Sequence, residues 1–156
     1  MIATRRTNSE DAIFQALVKE LDAELKIRDG EEHSFYAQFN KIDKIKHVVL
    51  VFEMGMPVGC GAVKHYSSDT MEIKRMFVQK DKRGKGIASV VLKELETWCM
   101  ELGYGRCILE TGIKQLEAIR LYEKCDFKPI PNFGQYENAA NSVCFEKLIL
   151  PECQET

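Results

Sequence analysis

Residues 82–89 read Lys-Arg-Gly-Lys-Gly-Ile-Ala-Ser and separate two segments of different period. Before them, "DTMEIKRMFVQ" (69–79) reads as a strand, with Met71, Ile73 and Arg75 on one face. After them, Ala88, Val91, Leu92, Leu95, Trp98, Cys99 and Leu102 recur at helical spacing, which predicts a helix from about Lys85 to Leu102. The first N–H groups of a helix have no intrahelical partners and sit at the positive end of its dipole. A phosphate is stabilised there. Gly84 and Gly86 let the backbone approach such a group, and Arg83 and Lys85 add positive charge.

The rest of the chain supplies the elements around this junction. Ile13, Leu17, Leu21 and Leu25 predict an amphipathic helix over 9–28, with Ser9 or Asn8 as its cap. "HVVLVFEMGMPVGCGAVKHY" (47–66) reads as two strands with a turn near Met54–Pro57. "GRCILET" (105–111) is a short buried strand, and 114–127 a helix with Ala118, Leu121, Tyr122 and Cys125 on one side. "FKPI" begins a strand, 131–141 is a loop, and "SVCFEKLIL" is the last strand; "SFYAQFN" (34–40) is a short helix or ordered loop. The order predicts an α/β (α+β) domain over 1–156, with a mixed, mainly antiparallel sheet of six to seven strands and helices on both faces.

Composition narrows the function. The net charge of −2 gives no support for a nucleic-acid partner. No apolar run approaches the ~18–20 residues of a membrane span. "MIATRRTNSEDA" is basic without an apolar segment behind it, so it does not read as a secretory signal. The six cysteines include no CxxC pair, which argues against zinc or a redox dithiol and for a reducing, cytoplasmic setting. Most fall within apolar patterns as small core residues, whereas Cys153 lies in the polar tail.

Three phosphate loops compete for 82–89. The GxxxxGK[ST] loop does not fit. The dinucleotide loop GxGxxG needs a third glycine where Ser89 stands, and the preceding strand reads as the third of a meander. The form R/Q-x-x-G-x-G/A, set between a strand and a long helix, is matched by Arg83-Gly84-Lys85-Gly86-Ile87-Ala88. Here the chain resembles the GNAT N-acetyltransferase superfamily. "MEIKRMFV" resembles that family's acetyl-carrying strand, and "QLEAIRLYEKCDF" (115–127) its second motif, N-x-x-A-x-x-L-Y-x-K-x-G-F. The likeness runs from roughly Val58 to Leu148. Gln115 stands where Asn is common, Asp126 where Gly is common, and Lys80 or Asp81 where Pro is frequent.

The resemblance implies acetyl-CoA as co-substrate and no metal. It implies that the pantetheine arm pairs with the backbone of Met76, Phe77 and Val78, in a slot where that strand splays from Cys107–Thr111. Arg83, Gly84, Lys85, Gly86, Ile87, Ala88 and Ser89 would meet the pyrophosphate, with Gln115 and Tyr122 also at the cofactor. Tyr122 matches the motif's tyrosine and is the candidate proton donor to sulfur. Glu72 is the candidate base, with Glu110 as its rival; His33, His47 and His65 are weaker candidates. A covalent role for Cys125 is not required.

The acceptor would lie against 28–40 and 130–142, where Tyr36, Phe39, Asn132, Phe133, Gln135 and Tyr136 can shape a pocket. Glu31 and Glu32 either attract a cationic amine or form a solvated acidic run. The leading expectation is direct acetyl transfer to an amine of a small molecule, amino acid or peptide. The alternatives are a non-catalytic acyl-CoA sensor and a nucleotide-binding α/β domain. A homodimer through the last strands is compatible with this order.

Overall fold

The computed structural model of the chain describes residues 1–29 and 44–149. Within them the elements are β1 (Ile2–Thr7), α1 (Ala12–Asp29), β2 (His47–Glu53), β3 (Met56–Ser67), β4 (Thr70–Val78), α2 (Ile87–Glu101), β5 (Arg106–Gly112), α3 (Leu116–Lys124), β6 (Lys128–Ile130) and β7 (Ser142–Leu148). The strands form one sheet in the order β1-β2-β3-β4-β5-β7-β6. β4 pairs with β5 in parallel; β1–β2, β2–β3, β5–β7 and β6–β7 are antiparallel. The expected mixed, mainly antiparallel sheet is therefore present, with seven strands. The chain groups into two compact units, Met1–Val63 with Lys74–Leu95, and Lys64–Ile73 with Glu96–Thr156.

In the first unit, α1 packs Phe14, Leu17 and Val18 against Val48, Leu50, Cys60, Ala62 and Phe77. α2 meets the opposite side of the strands. A Cβ on Gly61 would stand 2.6 Å from both the Met76 sulfur and the Val91 side chain, so only glycine admits α2 this closely. β2 and β3 are joined by a two-residue turn, Met54-Gly55, with φ of 52° and 80°. This is the double-positive geometry that suits a hairpin's twist.

Two sequence expectations change here. β1 was not foreseen, because it pairs along its length with β2 yet leaves almost every side chain exposed. An edge strand without an apolar face carries no alternating signal. Its arginines are anchored, Arg5 to Asp11 at 3.3 Å and Arg6 to Glu94 at 2.7 Å. The cap of α1 is Asp11, whose Oδ1 accepts the Ile13 N–H at 2.8 Å, and neither Ser9 nor Asn8 takes that place. The Ser9 hydroxyl instead accepts the Ile45 N–H, and Asn8 accepts the Glu10 N–H. Burial opposes ionisation of Asp11, but the Ile13 N–H, the Thr7 hydroxyl, the Phe14 N–H and Arg5 together hold its carboxyl below the ordinary value.

In the second unit, the ladder sets two faces. Glu72 lies opposite Ile108, and Glu110 opposite Cys144, so these four share one face. Met71, Cys107, Leu109 and Phe145 take the other, where the Cys99 thiol of α2 donates to the Met71 sulfur at 3.5 Å. α3 ends in a Schellman turn: the Phe127 N–H bonds the Tyr122 carbonyl at 2.9 Å and the Asp126 N–H bonds that of Glu123 at 3.1 Å. Asp126 fills the left-handed position, φ 71°, where glycine is common in the motif.

Cys60, Cys99, Cys107 and Cys144 are buried free thiols and Cys125 is half-buried, as their apolar patterns predict; Cys153 lies outside the described residues. Among the described residues no helix is long and apolar enough to cross a membrane. Gly61→Ala is expected to lower unfolding free energy by about 1–3 kcal/mol in urea titration, through overpacking against α2. Gly105→Ala, where an added Cβ meets nothing within 4 Å, is the control and is expected to change it by less than about 0.5 kcal/mol.

Candidate active site

The first unit carries the glycine loop. β4 ends at Val78, and the Gln79 N–H donates to the Val58 carbonyl at 2.9 Å. A 3₁₀ turn, Lys80–Lys82, follows. Arg83 is extended, and Gly84 and Gly86 have φ of 79° and 82° before α2 starts at Ile87. A Cβ at either glycine would meet nothing within 4 Å. Their requirement is therefore the left-handed backbone and not crowding within the protein. Lys85 between them is exposed, Ile87 is buried, and Ala88 and Ser89 lie in the first turn of α2. Lys82 pairs with Glu53 at 2.9 Å.

β4 changes direction just before the loop. Arg75 has φ 60° and buries its side chain towards α1, with Nη1 3.6 Å from Asp22. Phe77 also faces α1, while Met76 and Val78 face Gly61, Gly59 and α2. The Cys60 thiol donates to the Arg75 carbonyl at 3.4 Å. Burial pushes that thiol up to about 12, so it remains a donor at neutral pH.

The second unit gathers carboxylates and phenols. Glu72 is buried on β4, and Glu110 lies two residues beyond its strand partner Ile108. The Ser142 hydroxyl donates to Glu110 Oε2 at 2.7 Å. The Asn132 amide donates to the Ala139 and Ser142 carbonyls at 3.1 Å each, which closes the loop before β7. Within that loop Phe133 packs edge-on against Tyr66 and Tyr136, at 5.4 and 5.8 Å between centroids. Tyr136 is buried in the 3₁₀ turn Gly134–Tyr136.

Electrostatics converges on Glu110. Burial pushes the Tyr136 phenol up, and Glu110 and Glu72 add to it. Burial and Glu110 also raise Tyr122, followed by Cys125. Burial raises Cys144 to about 11, the Phe133 N–H opposing and Glu110 and Glu72 assisting. Tyr122 stands on the other side of the sheet from the carboxylates, its ring 5.8 Å from Phe127 and 6.1 Å from Phe145. One unit thus holds two carboxyl groups on one face of its strands and a protonated phenol on the other.

Of the remaining candidates, Gln115 precedes α3 and reaches beside Gly112, and Gln135 sits in the 3₁₀ turn beside Tyr136. His65 Nδ1 lies 2.8 Å from the Tyr104 hydroxyl at the surface. Burial, then Lys46, depresses His47 at the start of β2. Tyr36, Phe39, His33, Glu31 and Glu32 lie outside the described residues. Sequence reading missed Ser142 and the acidic partners on α1, because each meets its partner only through the fold; Ser142 and Glu110 are 32 positions apart.

A glycine loop that opens a long helix, with carboxylates and a phenol on adjoining parallel strands and the following helix, defines an acyl-CoA N-acyltransferase fold. The sequence pattern of the Acetyltransferase (GNAT) family matches residues 11–127. The chain belongs to this family and is an N-acetyltransferase. It is 34% identical over 148 residues to the "IAA acetyltransferase" of Azospirillum brasilense, covering 92% of this chain and 94% of that one. It is 36% identical over 93 residues to the uncharacterized N-acetyltransferase YsnE of Bacillus subtilis, covering 58% and 62%. A Klebsiella pneumoniae structure named for an acyl-CoA N-acyltransferase superposes with a TM-score of 0.81 at 26% identity, over 96% of this chain and 99% of that one. The PaiA N-acetyltransferase of Thermoplasma acidophilum, solved with coenzyme A, shares the fold at a TM-score of 0.70 and 18% identity, over 95% and 99%.

Tyr122 and Tyr136, two of the five tyrosines, are expected to stay protonated well above the ordinary phenol value of about 10. Their folded values lie above their unfolded ones. The stability they contribute is complete below about pH 10 and is lost as pH rises beyond it. Absorbance titration of phenolate should therefore show two late-titrating tyrosines in the folded protein, and Tyr122→Phe should remove one.

Proposed function

We propose that this N-acetyltransferase moves the acetyl group of acetyl-CoA directly to a primary amine of a small molecule, amino acid or peptide. The observation that carries this reading is the placement of Glu72 and Glu110 on one face of the second unit's sheet, beside the Tyr136 phenol, with Tyr122 on the other. Acetyl-CoA supplies the activated acyl group.

On the donor side, the glycine loop that follows Arg83, from Gly84 to Ser89, binds the pyrophosphate, and Gln115 completes the cofactor contacts. The left-handed glycines and the first N–H groups of α2 supply an anion site there. The backbone of Met76, Phe77 and Val78 takes the pantetheine arm, and an N–H near Met76–Phe77 polarises the thioester oxygen.

On the acceptor side, an amine arrives as ammonium and has no lone pair until it loses a proton. Glu72 takes that proton, directly or through a water. Glu110, held by the Ser142 hydroxyl, keeps negative charge beside the ammonium. Phe133 and Tyr136 line the organic part of the acceptor, and the Asn132 bonds hold their loop in place. The nitrogen then bonds to the acyl carbon and the carbon–sulfur bond breaks. Nitrogen releases its second proton and sulfur takes one from solvent, leaving amide, thiol and one net proton. The Tyr122 phenol, pushed up by burial, is a weaker acid than a thiol near 8.5. Its part is to donate a hydrogen bond to sulfur as charge develops and to remain protonated afterwards.

Glu72→Gln is expected to lower kcat/KM on the order of a hundredfold or more and to flatten the acid limb of its pH profile. Tyr122→Phe is expected to lower kcat about tenfold to a hundredfold with little change in the KM for acetyl-CoA. Steady-state rates across pH check both. A Glu72→Gln profile identical to wild type removes Glu72 as the base, and an unchanged kcat in Tyr122→Phe, with chemistry limiting, removes Tyr122.

A further inference from the structure

Arg83 holds the first position of the glycine motif, where a cation is expected to meet phosphate. Its contacts in the first unit point elsewhere. Nε donates to the Val78 carbonyl at 2.8 Å, and Nη2 donates to Glu24 Oε2 on α1 at 2.7 Å. The guanidinium lies 5.7 Å from the centre of the Phe77 ring. The Val78 bond closes a ring of chain from the last residue of β4 to the residue before Gly84. Inside that ring the Lys82 N–H bonds the Gln79 carbonyl at 2.9 Å.

The helix side of this contact is also built. Glu20 and Glu24 are one turn apart on the same face of α1. Glu20 accepts from the Gln79 amide at 3.3 Å, as Glu24 accepts from Arg83. The two ends of the turn before Gly84 are thus fastened to one helix. Charge-assisted bonds of this length are among the stronger ones in proteins. A phosphate seated on the same guanidinium would stand beside the Glu24 carboxylate, an approach of like charges. Lys85, between the two glycines, is exposed, and the carboxylate its charge acts on is Glu53, which Lys82 already pairs.

We propose that Arg83 is a positioning residue: it splints the end of β4 to the glycine loop and to Glu24 of α1, while Lys85 and the loop's backbone N–H groups meet the phosphates. Because the splint ends on the Val78 carbonyl, it holds the strand segment assigned to the pantetheine arm as well as the loop. The ligand part of this inference rests on the proposed use of acetyl-CoA; the splint itself does not.

Two measurements separate these parts. Hydrogen–deuterium exchange of the cofactor-free protein reads the splint alone. Arg83→Gln and Glu24→Gln are both expected to speed exchange of the amides from Gln79 to Ile87 by about tenfold, and Lys85→Gln to leave it unchanged. Calorimetric titration with acetyl-CoA and with S-acetylpantetheine, which lacks the pyrophosphate and nucleotide, reads the ligand. Arg83→Gln is expected to raise both Kd values by a similar factor, Glu24→Gln to do so to a smaller degree, and Lys85→Gln to raise that of acetyl-CoA alone. Unchanged exchange in Arg83→Gln, with a loss confined to acetyl-CoA, would make Arg83 a phosphate ligand and overturn the proposal. Tighter acetyl-CoA binding in Glu24→Gln would overturn it too. A wild-type protein that ignores acetyl-CoA contradicts the donor assignment, while the exchange result still decides the splint.

Discussion

The backbone of Arg75 is the constraint on which the end of β4 and the glycine loop depend. An L-residue at φ 60° inside a strand costs on the order of 1–2 kcal/mol. It persists because its surroundings fix it: the Cys60 thiol holds its carbonyl, and its side chain is buried against α1 near Asp22. From that residue onward Phe77 turns to α1, and Met76 and Val78 turn to α2. The strand then reaches Val78 in the direction that lets Arg83 close back onto it. The glycine at 61 belongs to the same solution, since Met76 and α2 occupy the space its side chain would need. A conserved-looking loop motif is therefore only the visible end of a longer arrangement of strand, thiol and helix.

In the second unit the leading effect is burial of acidic groups beside two carboxyls. Tyr122, Tyr136 and Cys144 all respond to Glu110, and the latter two also to Glu72. Every one of these acids is pushed up, so the two phenols and the thiol stay neutral at ordinary pH. Ser142 and Asn132 add the fixed geometry, one bonding the carboxylate and the other bonding the loop.

What the sequence made legible follows its periodicities. α2, the β2–β3 hairpin and the buried β5 have strong apolar patterns, and each lies within a few residues of its expected span. The second motif placed Tyr122 on a helix, and the departure at Asp126 proved to be the one non-glycine residue type pair with asparagine that readily takes the left-handed cap. β1 was invisible, because its stability comes from backbone pairing with β2 and not from an apolar face. Asp11 displaced Ser9 as cap because Ser9 is recruited by Ile45, a partner 36 residues away. Arg75 read as one more alternating strand residue, since nothing local announces a left-handed backbone. The same limit hid Ser142 beneath Glu110 and Glu24 beside Arg83. Short motifs mark where chemistry sits, whereas the groups that hold it in place come from distant segments.

The most direct measurement is acetyl transfer from acetyl-CoA to a panel of amines, polyamines, amino acids and short peptides, with products identified by mass. Free coenzyme A should appear in step with one N-acetylated amine, and the protein itself should gain no acetyl group under turnover. Acetyl-CoA that binds and raises the melting temperature, yet yields no acetylated product with any amine class, would contradict direct transfer and favour an acyl-CoA sensor.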